Sequence, residues 1–187
     1  MTARAFIDDP NIPEWSELVD GVVVPCFARP LNAPPRAHNR VARAIFRALD
    51  AHVAPRRLGE VYFDGTSYEL PPRDDVVRLP DVSFVRAGRE PAEVERRGIP
   101  RLAPDLVVEV LSESDQPAVI GRKRAHYFGG GTSLLWLIDI EARGVEVWTP
   151  AGAPTWVAED AQLDGGAVLP GFAVPVRDLF AGVAREA

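Results

Sequence analysis

One cysteine, Cys26, stands in 187 residues. That excludes an internal disulfide framework and any cysteine-rich zinc site. It suits a reducing compartment, and the cytoplasm is the expected location, although a cysteine-poor secreted protein would share this composition. No early run is long and apolar enough for a membrane span or a signal peptide, since charges and prolines break "MTARAFIDDPNIPEW". No membrane partner is expected. There is no Gly-x-x-x-x-Gly-Lys phosphate loop, no Gly-x-Ser-x-Gly elbow, no His-Glu-x-x-His and no dinucleotide fingerprint. Gly129-Gly130-Gly131 follows a helical stretch rather than opening one, which makes it a stop signal. Net positive charge is missing too: the formal charge is −6. A general affinity for nucleic acid is therefore not expected, while a local basic patch stays open.

What is present points to one compact domain over residues 1–187, with 1–16 a loose or weakly helical lead-in. Hydrophobic residues make up 47% of the chain and charged residues 26%, which is the balance of a globular protein. "ELVDGVVVPCF" predicts a hairpin turning at Asp20-Gly21. "HNRVARAIFRALDAHV" (38–53) repeats apolar residues at three- and four-residue steps and predicts an amphipathic helix. "GEVYFDGTSYEL" predicts two short strands about Asp64-Gly65, "PPRDDVVRL" a connecting segment, and "PDVSFVRA" a further strand. "GREPAEVERRG" suggests a short exposed helix.

"PDLVVEVLSESD" (104–115) predicts a strand buried on both faces, and "SLLWLIDI" (133–140) a second one. Between them lies a helix, with Ser114 or Asp115 as a cap and Pro117 in its first turn. Strand, helix, strand makes a right-handed parallel crossover the default. Short connections make the earlier strands antiparallel. "AVLPGFAVPVRDLF" suggests a last edge strand and a closing helix. The fold class is α/β in the broad, mixed α+β sense: a central mixed sheet with helices on its faces.

Glu109 is the anomaly, a carboxylate in the middle of a buried strand. Such a group must be paired, metal-bound or protonated. If the strands of 81–86 and 105–111 are neighbours, Asp81 converges with Glu109, and two hard oxygen ligands suit Mg²⁺ or Mn²⁺. Lys123 shares the inward helix face with Ile120, Val119 and Tyr127 and can orient a water beside that pair. Arg122, Arg124 and His126 lie toward the flanks, where they can meet phosphates. His38 leads the first long helix on its inward side, and Glu17 opens the first hairpin.

Each residue also has a structural reading. Glu109–Lys123 can be a buried ion pair, and Asp81 can satisfy a turn amide after proline. His38 can be a partly exposed first-turn histidine. Asp139, Asp64, Asp74 and Asp75 read as strand-end, turn and loop residues.

The series "ELVDG", His38-led helix, "PDVSFV", "PDLVVEVLSESD", "KRAHYF", "LLWLIDIEARGVEVW" and "LPGFAVPVRDLF" resembles the Uma-two family of restriction-endonuclease-like proteins, from about Glu17 to Phe180. That family is similar to the PD-(D/E)XK nuclease superfamily. The resemblance implies a restriction-endonuclease-like core, with Asp81 as the motif aspartate and Glu109 as the motif acid. The usual lysine position holds Leu111, so the resemblance moves the lysine to Lys123. It implies Mg²⁺- or Mn²⁺-dependent phosphodiester hydrolysis. Asp81, Glu109 and the Val110 carbonyl would hold the ion, Lys123 would position water, and His38 and Glu17 would complete the site. The implied partner is nucleic acid, DNA first, and a homodimer would suit cleavage of both strands. Two rival readings are a non-enzymatic binding module that keeps the nuclease fold and a metal-dependent hydrolase of small phosphate esters.

Overall fold

The computed structural model describes residues 1–26, 36–63, 65–89, 98–112 and 115–184. The helix expected within "GREPAEVERRG", the cap at Ser114 and the turn residue Asp64 lie outside these residues.

Six strands form the main sheet: β3 (Gly59–Phe63), β6 (Val82–Arg86), β7 (Leu106–Leu111), β8 (Leu134–Asp139), β9 (Gly144–Trp148) and β10 (Thr155–Val157). Their order is β10-β9-β8-β7-β6-β3. β6 and β7 are antiparallel neighbours, and β7 and β8 run parallel. The crossover helix between them, α3 (Pro117–Gly130), ends at Gly131, whose φ of 108° is open to glycine. Its N-cap is Gln116; Asp115 instead accepts hydrogen bonds from the Ser112 amide and hydroxyl.

The long helix α2 (Arg36–Val53) lies on one face of this sheet. Its Val41, Ala42, Ile45 and Leu49 are buried with Val82, Phe84, Leu106, Val108 and Trp136. That is the i, i+4 apolar stripe meeting one set of alternating strand residues. The other face packs Val107, Leu135 and Leu137 against Tyr127 of α3. β7 is thus covered on both sides, as its unbroken apolar run requires.

A smaller sheet has the order β2-β1-β5-β4. It holds β1 (Ser16–Val19), β2 (Val22–Pro25), β4 (Tyr68–Glu69) and β5 (Val77–Arg78). The β1–β2 hairpin turns at Asp20 (φ 51°) and Gly21 (φ 79°), the paired left-handed conformations of a tight two-residue turn. A short helix, α1 (Ala3–Asp8), buries Ala3 and Phe6 against Leu18 and Val77, so part of the lead-in is docked. One expectation changes here. The segment "PPRDDVVRL" is not only a connection, because it contains β5. The two short strands expected within 59–70 are present, and they enter different sheets: β3 joins the main sheet and β4 the small one.

The tail forms a separate two-stranded ribbon, β11 (Gln162–Gly165) with β12 (Leu169–Pro175), followed by the one-turn α4 (Val176–Leu179). Among the described residues no helix is long and apolar enough to cross a membrane.

Candidate active site

The question raised by Glu109 is answered by α3. Glu109 is 4% exposed. Its Oε2 accepts from Lys123 Nζ at 2.7 Å, and its Oε1 accepts from the Tyr127 hydroxyl at 2.7 Å. Lys123 and Tyr127 are one helical turn apart on the same face, so the crossover helix delivers both donors to one strand residue. Burial pushes Glu109 up to about 7. Lys123 opposes this, and the nearby charges of Asp81 and Glu17 add to it. Burial alone would pull Lys123 down, but Glu109, Glu17 and Asp81 outweigh it, so the ammonium stays charged. Burial and Glu109 together lift the Tyr127 phenol well above its usual range, and it remains a proton donor.

Asp81 sits where β6 frays away from β7. Its Oδ2 accepts from the Val110 amide at 2.7 Å, a side chain taking the place of the next ladder carbonyl. The same oxygen lies 3.3 Å from His38 Nε2, which α2 brings from the opposite face. Burial lowers His38, but the contact with Asp81 more than restores it, so its net shift is upward. Asp81 is thereby held in a fixed orientation at the open end of the strand pair. Among the described residues its Oδ1 accepts no hydrogen bond. The Val110 group joined to Asp81 is the amide, not the carbonyl.

Glu17 is adjacent but occupied. Its Oε2 accepts from Arg78 Nη1 at 2.7 Å, and its Oε1 from the Leu79 amide at 3.0 Å. Arg78 is only 2% exposed and bonds on to His126 Nδ1, from Nε at 3.1 Å and Nη2 at 2.9 Å. With Nδ1 accepting, Nε2 carries the proton toward Asp20 Oδ1 at 3.1 Å. His126 is therefore buried in a network rather than standing on a flank. Arg122 approaches Asp20, and Arg124 stacks over Trp148 at 3.9 Å. Asp139 caps its turn by accepting from the Ala142 amide.

Two members of this cluster escaped the sequence reading. Tyr127 served there only as a marker of the inward helix face. Arg78 lay in a stretch taken for a connection. One available signal went unused: Lys123 is the only lysine in the chain, and every other member of its 21 Lys and Arg residues is arginine. A flexible, compact ammonium is used at one place alone.

Among the described residues no group of three His, Cys, Asp or Glu side chains stands close enough to hold a metal ion. The donor chemistry nevertheless suits a hard cation. Mg²⁺ is commonly held by one or two carboxylates, with waters and substrate phosphate completing its shell. Asp81 and Glu109 can supply those two. Burial is the main cause that raises Glu109, and the charges of Asp81 and Glu17 add to it against Lys123.

Tyr127→Phe should cost about 1–3 kcal/mol, because a buried carboxylate oxygen loses its donor. It should also raise Glu109 further, since the lost hydrogen bond favours the charged form. Urea unfolding and the pH profile of any activity would show both effects. An unchanged midpoint would mean that the hydroxyl contributes nothing to holding Glu109.

The profile of a family named Uma2, described as "Putative restriction endonuclease", matches residues 13–177. A crystal structure described as a putative nuclease belonging to DUF820, from Anabaena variabilis, superposes with a TM-score of 0.81 at 22% identity. The superposition covers 97% of this chain and 98% of that one, and at this identity it shows a shared fold. No curated protein matches the chain.

Proposed function

The chain belongs to the Uma2 family, and from that premise we propose that it is a metal-dependent endonuclease hydrolysing phosphodiester bonds, with duplex DNA as its first candidate substrate. The observation that carries this reading is the triad of Asp81, Glu109 and Lys123 at the open end of β6 and β7. Two carboxylates and one ammonium there feel one another's charge.

Asp81 and Glu109 would hold Mg²⁺ or Mn²⁺, with the Val110 carbonyl as a further ligand. A bound divalent ion supplies Lewis-acid stabilisation of charge on the phosphate. This chain's own groups do the rest. Lys123, fixed by Glu109, orients the attacking water and offsets negative charge as it develops. Tyr127 holds the carboxylate from behind. His38 fixes Asp81, and Glu17 shapes the local potential through its charge rather than as a free ligand.

Glu109 provides the test. Its pKa of about 7 lies above the ordinary 4.5. The folded protein therefore keeps a proton there that the unfolded chain has already released. Stability from this group falls as pH rises from about 4.5 to about 7. A cation favours the deprotonated form, so Mn²⁺ uptake should release close to one proton at about pH 6 and almost none at about pH 8.5. Calorimetric titration in buffers of different ionisation enthalpy reads this number directly. Uptake that releases no proton at pH 6, or that persists in Glu109→Gln, would remove Glu109 from the ligand set. Absence of uptake together with absence of cleavage would favour the binding-module reading, in which Glu109–Lys123 is a structural ion pair.

A further inference from the structure

We propose that the outer face of α2 is a surface that tracks the phosphate backbone of duplex DNA; the choice of DNA rests on the nuclease reading above. Arg36, Arg40, Arg43 and Arg47 follow one another at steps of four, three and four residues. At 3.6 residues per turn they fall within an arc of about 60°, directly opposite the buried face of Val41, Ala42, Ile45 and Leu49. All four are exposed.

Their arrangement in one row, without carboxylate partners, sets them apart from most other exposed arginines. Several exposed arginines elsewhere meet carboxylates: Arg4 with Asp8, Arg73 with Asp75, Arg89 with Asp105, Arg101 with Glu69. Arg56 and Arg57, just past the end of α2, are exposed and meet none among the described residues, and Arg56 donates to the His52 carbonyl. Among the described residues, Arg36, Arg43 and Arg47 have neither an ion pair nor a hydrogen bond to a side chain. Arg40 donates to the Gly182 carbonyl, which stiffens it without neutralising it. Asp50, an exposed residue one turn past Arg47, ends the stripe. A chain with a formal charge of −6 thus keeps an unneutralised row of positive charge on one helix face.

The dimensions suit a nucleic-acid backbone. Eleven residues of helix rise span roughly 16 Å. One strand of B-DNA presents a phosphate about every 3.4 Å of axis, or roughly five over that length. The row also begins at the right place. His38 lies in the same first turns of α2 as Arg36 and Arg40 and contacts Asp81. Arg36 and Arg40 lie on the opposite side of those turns from His38, so a duplex held on the row would reach the site over the start of α2.

The test is fluorescence anisotropy with a duplex of about 20 base pairs in EDTA, so that nothing is cleaved. Wild type is compared with the triple variant Arg36→Gln, Arg43→Gln, Arg47→Gln from about 50 to 200 mM NaCl. Each phosphate contact contributes about 0.9 to the slope of log affinity against log salt. The variant's slope should therefore be shallower by about 2.7, with affinity at least tenfold weaker at 50 mM. Equal slopes and affinities, or no binding by wild type at 50 mM, would overturn the proposal. So would binding of wild type to anionic phospholipid vesicles in preference to the duplex. Cleavage of DNA with Mn²⁺ separates the two ideas. Wild type that cleaves while the triple variant binds unchanged refutes the stripe and leaves the nuclease. A stripe-dependent affinity without any cleavage refutes the nuclease and leaves the stripe.

Discussion

Asp81→Asn should abolish metal-dependent hydrolysis while leaving a folded protein. The expected loss is about 10³-fold or more, equivalent to roughly 4 kcal/mol of transition-state stabilisation. The fold should survive because the hydrogen-bonding role of Asp81 is separable from its charge. An asparagine oxygen can still accept from the Val110 amide, which Asp81 Oδ2 meets at 2.7 Å. That same oxygen is the one facing His38 Nε2, so the histidine keeps a polar partner and the stability change should stay within about 1 kcal/mol. What vanishes is a negative charge that supports a cation and lifts His38. Two readouts therefore belong together. Cleavage of duplex DNA in Mn²⁺ should fall to background, and the titration of His38 followed by NMR should move down. Full activity with the His38 shift would show that the substitution acted and that Asp81 is not a ligand.

How much of this site was legible depends on how its parts are encoded. β7 and β8 announced themselves through unbroken apolar runs, and the crossover helix through its terminators. From those three elements the meeting of Glu109 with Lys123 follows by periodicity alone, and it is found at 2.7 Å. Arg78 was hidden for the opposite reason. β5 is two residues long, too short for any period to emerge from it. The residue that neutralises Arg78, Glu17, is 61 positions away. Nothing local distinguishes a buried arginine from a loop arginine when its partner is so remote. His126 was misplaced by the same ignorance, since its helix face is polar until Arg78 covers it. The separation of β3 and β4 into different sheets is likewise a tertiary fact. Two short strands joined by a turn signal predict a hairpin unless other strands compete for their edges.

Arg78→Met should cost about 3–5 kcal/mol, the range for removing one partner of a buried ion pair. The guanidinium is almost wholly enclosed and serves two clients, Glu17 on β1 and His126 on α3. Without it, Glu17 keeps only the Leu79 amide, and the His126 Nδ1 acceptor faces an apolar chain. Glu17→Gln/Arg78→Met should recover a large part of the loss, because the stranded charge is gone; the double-mutant cycle should show a coupling of about 2 kcal/mol or more. His126 gives an independent reading. Burial first, and then Arg78, hold its pKa below the usual 6.5. The unfolded chain thus takes up that proton before the folded one, and stability is lost as pH falls below about 6.5. Removing Arg78 should flatten that acid slope while lowering stability at every pH. Urea unfolding of the three proteins between about pH 5 and pH 8 measures both effects. A loss below about 1 kcal/mol, with the acid slope intact, would mean that water reaches Glu17 and that the network does not hold the small sheet against α3. The consequence reaches the site, since α3 is the helix that presents Lys123 and Tyr127 to Glu109. Loosening its contact with the small sheet should weaken cation uptake even though Arg78 itself touches neither Asp81 nor Glu109.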